Sequence, residues 1–175
     1  EGHTVGSHTW SHRNMASKKT TTKRATDEIE DAISAVKLAL GKPGAPFFRY
    51  PYLKDTPETI KYLASRNIAV FSTDLDSFDF KGGRPSKLVA RVMRNLKKRG
   101  KGILLFHDIQ RVTARAMPQL LAQLKKGGYK IVHLTAKAPV TTLPAYDAKI
   151  AKNLRGSSSM AQRPISSVVE TVKEN

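Results

Sequence analysis

Cysteine is absent from all 175 residues, which removes disulfides, thiolate metal sites and thiol nucleophiles together. Any metal must then be held by His and carboxylate, a donor set that suits zinc and other divalent first-row ions. No apolar run approaches the roughly 20 residues that cross a bilayer. The first residues, Glu1 to Val5, have neither an initiator Met nor the basic and apolar regions of a signal peptide, so the chain is expected to begin inside a longer protein. Acidic residues are scarce, 14 against 31 Lys and Arg, for a net charge of +17. Hydrophobic residues, at 39%, exceed what a disordered chain of this charge carries, and they fall in short runs split by Gly, Pro and polar turns. Length and composition fit one domain or most of one, and exclude collagen, coiled coil and wholesale disorder.

More than half of the charge excess lies between residues 81 and 101. Pro85-Ser86 starts a helix there and Gly100 stops it, while Leu88, Val89, Val92, Met93 and Leu96 mark an apolar face. Lys87, Arg91, Arg94, Lys97, Lys98 and Arg99 fill the remainder. They read either as a solvated helix back or as an attractor for a polyanion such as nucleic acid, an anionic membrane or an acidic cell-wall polymer. No aromatic side chain is interleaved for base stacking, which counts against nucleic acid.

Elsewhere helix and strand alternate. Apolar residues from Ile29 to Leu40 repeat at helical spacing, Asp27 with Glu30 resembles a capping box, and Gly41 closes the segment. Pro46 to Tyr50 reads as a short buried strand, Pro57 as the first position of a second helix, and Ile68 to Phe71 as a strand. Gly102 to Phe106 reads as a central parallel strand, followed by a helix through Leu124, a Gly127-Gly128 stop and a strand from Tyr129 to Leu134. The alternation predicts a parallel sheet or barrel with helices outside, whose strand ends carry the site. Arg49, Asp76 and His107 stand at such ends. Residues 137–175 break the pattern and read as a tail or linker, with a short helix or strand between Ile165 and Val172.

His8 and His12 stand four positions apart, one face of a helical turn, where two imidazoles can grip one ion. His107 follows four apolar residues, and its neighbour Asp108 is placed either to orient the ring or to cap the next helix. Arg49 implies a carboxylate within reach if it is buried. His3 and His133 read as structural.

The ordered series His8-Thr-Trp-Ser-His12, Arg49-Tyr-Pro51-Tyr52, Asp76-Ser-Phe-Asp-Phe80 and Leu105-Phe-His107-Asp108 resembles motifs two to five of the polysaccharide deacetylases. These are the NodB-homology group, carbohydrate esterase family 4. The resemblance spans residues 1 to about 136 and implies a distorted (β/α) barrel that removes N- or O-acetyl groups from polymers such as chitin or peptidoglycan outside the cytoplasm, using a divalent metal, usually zinc. It implies His8 and His12 as metal ligands, His107 as general acid and Asp76 as the group that orients and tunes it. Arg49 would pair with the catalytic base, the Tyr52 N–H with Pro51 before it would bind the oxyanion, and Leu105 with Phe80 would border the acetyl pocket. The family's first motif, an Asp-Asp pair supplying the base and a third ligand, is absent; Phe80 replaces a Trp and Leu53 a Gly. The first motif is expected upstream in the same polypeptide, and without it this stretch should bind metal poorly and catalyse little. The competing reading is a non-catalytic carbohydrate- or polyanion-binding module.

Overall fold

The computed structural model describes residues 2–155. Its element order is α1 (Thr22–Leu40), β1 (Phe47–Phe48), α2 (Pro57–Ser65), β2 (Ala69–Val70), β3 (Leu75–Asp76), α3 (Pro85–Arg99), β4 (Leu104–Leu105), α4 (Arg111–Lys126) and α5 (Pro144–Arg155). Strand and helix alternate through the middle of this α/β chain, as the sequence pattern predicts. The described residues divide into two compact units, residues 2–69 with 136–155 and residues 70–135, each with its own apolar cluster.

In the first unit, α1 begins five residues earlier than Asp27. The Thr21 hydroxyl accepts from Arg24 N–H and supplies the cap, so no Asp27–Glu30 box is needed. Gly41 ends the helix at φ 67°, the left-handed cap that glycine adopts without a Cβ penalty. Ala25, Ile29 and Ile33, one turn apart, turn into a core with Met15, Phe48, Tyr50, Leu63 and Ile68. Around β1 the backbone is bonded on both sides: Ser7 N–H donates to Phe47 O at 2.8 Å, Arg49 N–H to Ser7 O at 3.2 Å, and Ala69 N–H to Pro46 O at 2.8 Å. Gly6 permits this approach, since a Cβ there would lie 2.5 Å from Phe47 O. The extended run ending at Ser7 therefore delivers His8 beside Arg49.

Residues 137–155 are not a tail. Val140 and Ile150 are buried, and α5 packs on α1. Lys37 meets Asp147 at 2.7 Å, Lys149 meets Asp31 at 2.7 Å, and the Tyr146 hydroxyl donates to Asp27 at 2.7 Å. Its polar surface hid this role, because the contacts that hold it are mostly charged. The stretch expected between Ile165 and Val172 lies outside the described residues.

In the second unit β3 and β4 run parallel, with Leu75 opposite Leu104 and Asp76 opposite Leu105. α3 starts at Pro85 and stops before Gly100, as its sequence signals require. Its Leu88, Val89, Val92 and Leu96 interlock with Val112, Ala116, Leu120 and Leu124 of α4, an i, i+4 stripe. Tyr129–Leu134, expected as a strand, forms no ladder, and Ile131 and Val132 are more than 70% exposed. β-branched composition fits a residue to a ladder without creating one.

Candidate active site

In the first unit His8 Nδ1 lies 2.7 Å from Arg49 O. A carbonyl only accepts, so Nδ1 carries the proton and Nε2 the lone pair, the arrangement found where a histidine ligates a metal. The His8 and His12 ring centroids are 5.0 Å apart. Helical spacing is not the cause: residues 8–12 form a loop in which Thr9 (φ 65°) and His12 (φ 55°) are left-handed. Such non-glycine conformations cost of order 1–3 kcal/mol each and persist only where the surroundings over-determine them. Glu28 of α1 does so here. Its carbonyl accepts from Trp10 N–H at 2.9 Å, and its buried carboxylate accepts from Ser11 N–H at 2.7 Å and the Ser11 hydroxyl at 2.6 Å.

Tyr52 and Leu53 add two consecutive left-handed residues, at φ 58° and 56°, following buried Pro51. The Tyr52 ring, 62% exposed, stands edge-on to His12 with centroids 4.9 Å apart. An open cleft of about 370 Å³ is lined by Ser11, His12, Arg13, Asn14, Ser17 and Tyr52. Arg49 is half-buried, and desolvation lowers the pKa of its guanidinium. Two exposed imidazoles, one with its tautomer fixed, fit part of a divalent-metal site. Among the described residues no group of three His, Cys, Asp or Glu side chains comes together to complete it.

In the second unit the carboxylate that holds His107 is Asp79, not Asp76. Asp79 Oδ1 lies 2.7 Å from His107 Nδ1, and Oδ2 accepts from His107 N–H at 2.6 Å and the Thr113 hydroxyl at 2.5 Å. Asp76 instead accepts from Phe78 N–H at 2.7 Å. The cause is the turn: Phe78 is left-handed at φ 50°, and the chain reverses so that Asp79 drops inward to full burial. Burial pushes the Asp79 carboxyl up, but the Thr113 hydroxyl and then the His107 N–H and ring outweigh it, leaving it below the usual carboxylate range. An ionised Asp79 fixes the proton on His107 Nδ1 and leaves Nε2 for chemistry. The Phe80 ring, half exposed, meets the His107 ring edge-on at 5.8 Å. Leu105 lies on β4, two residues before His107.

Sequence reasoning missed Glu28 and Thr113, whose roles depend on contacts 17 and 34 residues away with no local signal. Asp79 carried one, its position beside an aromatic residue at the end of the acidic stretch.

The family model of the polysaccharide deacetylases matches residues 1–71. A peptidoglycan deacetylase of Bdellovibrio bacteriovorus is 36% identical with a TM-score of 0.70, over 79% of this chain and 38% of that one. A chitin deacetylase of Arthroderma benhamiae is 29% identical over 75% of this chain and 36% of its own. A family 4 pseudoenzyme from Bacillus anthracis is 25% identical with a TM-score of 0.65, over 72% of this chain and 43% of that one. The chain thus spans about two fifths of the length of these relatives. No helix among the described residues is long and apolar enough to cross a membrane.

Proposed function

We propose that this chain is the larger part of a (β/α) barrel domain that hydrolyses acetyl groups, chiefly N-acetyl, from a polysaccharide outside the cytoplasm. The observation that carries the reading is the Asp79–His107 pair, because a surface or capping histidine has no need of a fully buried carboxylate on Nδ1. In this reading His8 and His12 hold a divalent ion, with zinc the first expectation. When bound, that ion supplies Lewis acidity to the acetyl carbonyl and to water.

The chain's own residues do the rest. Asp79 holds the His107 ring through Nδ1 in one tautomer, which leaves Nε2 to pass a proton to the departing amine, a contribution on the order of a hundredfold or more. The strained turn at Tyr52 aims a backbone N–H at the developing oxyanion. Arg49, partly desolvated, steadies a carboxylate base. Phe80 and Leu105 border the acetyl methyl. No Asp-Asp pair occurs in the 175 residues, and in this reading neither the base nor the third ligand is assigned to a residue here.

The second reading, a binding module without turnover, is favoured by the incomplete ligand set and by the likeness to a pseudoenzyme. Assay of the full-length polypeptide on acetylated chitin oligomers and peptidoglycan, with and without chelator, separates the two. His107→Ala should abolish turnover and spare metal content, while His12→Ala should lower metal content. Undiminished turnover in either variant would sink the mechanism, and retention of substrate without turnover by the parent protein would favour the binding module.

A further inference from the structure

The most unusual surface in the second unit is the outer side of its helix pair. α3 and α4 together carry no acidic residue, and their basic side chains are mostly exposed. On α3, Lys87, Arg91, Arg94 and Lys98 fall at i, i+4, i+7 and i+11, a single stripe about 16 Å long, roughly opposite the buried Leu88, Val92 and Leu96. A merely solvated helix mixes charge signs, because like charges three or four residues apart lower its stability. This stripe has like neighbours throughout. The helix dipole accounts for Lys97, Lys98 and Arg99 in the last turn, but it opposes Arg84 at the N-cap and Lys87 in the first turn. The helix therefore carries a charge pattern that its own folding does not favour.

The stripe also leads to the candidate chemistry of its unit. Arg91 Nη2 donates to Ser77 O at 2.6 Å, at the start of the turn that holds Asp79. Beside that turn Phe78 and Phe80 are exposed, and Lys81 Nζ lies 4.8 Å from the Phe78 ring centre. The two rings meet at 62°, so they give no flat platform for successive bases, and α3 and α4 contain no aromatic residue. The buried apolar face of α3 leaves that helix no second, hydrophobic anchor for a lipid surface. An edge of exposed aromatic rings beside a line of cations suits a chain of sugar rings that carries negative charge.

We propose that the Lys87–Arg94–Lys98 stripe is a docking track for an anionic polysaccharide, one whose repeats bear carboxylate or phosphate groups, and that it selects such a polymer over a neutral acetylated glycan. The proposal deepens the deacetylase reading and rests on it for the identity of the polymer. The triple variant Lys87→Gln, Arg94→Gln, Lys98→Gln leaves every candidate active-site residue in place. In the full-length polypeptide at about 50 mM salt, it should bind peptidoglycan sacculi about tenfold or more weakly, with a salt slope lower by about two to three. Its binding to chitin and its turnover of short chitin oligomers should equal the parent's. Sacculi stripped of phosphodiester-linked polymers tell the two charge sources apart: persistent binding assigns carboxylates, and lost binding assigns phosphates.

Lys125→Gln with Lys126→Gln, off the stripe, should have a much smaller effect; an effect as large as the triple variant's would make net charge the cause and overturn the track. Unchanged sacculus binding by the triple variant would overturn it too. So would tighter binding of the parent to duplex DNA or to phosphatidylglycerol vesicles at the same salt. If the parent turns over no acetylated glycan but the binding pattern holds, the deacetylase reading fails and the track stands; the converse result fails the track alone.

Discussion

Removing the Asp79 carboxylate should be among the costliest single changes in the second unit. Asp79→Ala strands the His107 N–H, the His107 Nδ1–H and the Thr113 hydroxyl, all of which donate to it at 2.5–2.7 Å. Each donor left without its acceptor in a buried site costs about 1–3 kcal/mol, so three cost about 3 kcal/mol or more. The His107 side chain is 35% exposed, so water recovers part of its loss and the expected value lies near the lower end, about 3 kcal/mol. Asp79→Asn is milder for stability, about 1–2 kcal/mol, because one acceptor oxygen remains. Its amide now points a donor at Nδ1, which must become an acceptor, so the ring proton moves to Nε2. Asp76→Asn keeps the acceptor that Phe78 N–H needs and should stay within about 0.5 kcal/mol of the parent. Urea unfolding reads the stabilities, and ¹⁵N–¹H correlation of the imidazole reads the tautomer. Asp79→Asn should also reduce deacetylation on the order of a hundredfold. A ring proton still on Nδ1 in Asp79→Asn, or an Asp76→Asn loss as large as that of Asp79→Asn, would refute the assignment.

Three further outcomes are expected. Glu28→Ala removes both side-chain acceptors of Ser11 and should cost about 2–3 kcal/mol while loosening residues 8–12, visible as faster amide exchange at Trp10 and Ser11 than elsewhere in the first unit. Ile150→Ala empties a site only 1% exposed and should lower stability by about 2–4 kcal/mol by thermal melt, whereas a loose tail would show no change. The Tyr146 phenol is raised from 10.0 to about 12, by burial first and then by its bond to Asp27, so its neutral form belongs to the fold. That contribution is complete below pH 10 and lost between pH 10 and about 12. Tyr146→Phe should lack this part of the alkaline decline, and an unchanged decline between pH 10 and 12 would remove Tyr146 as its source.

Much of the helical layout was readable because its signals are local. Pro57, Pro85, Gly41 and Gly100 mark helix ends where the structure has them. β4 lies in the apolar run expected as a strand, but its partner β3, Leu75–Asp76, sits in an acidic stretch that carries no apolar run to mark it. What was not readable depends on geometry that spacing does not encode. Asp76 and Asp79 are chemically equal in the sequence, and only the left-handed Phe78 decides which turns inward. His8 and His12 suggested a helical turn, but two left-handed residues and a distant carboxylate bring them together instead. α5 escaped notice because its main ties to α1 are charged pairs more than 100 residues apart.

The two apolar clusters have no residue in common. One belongs to the unit that carries the paired imidazoles and the other to the unit that carries the Asp79–His107 clasp, so a change in one set of groups leaves the other unit's packing in place. A lineage can thus discard half of its chemistry one substitution at a time and still inherit an intact scaffold. Surviving architecture in a descendant is therefore poor testimony that the reaction has survived with it.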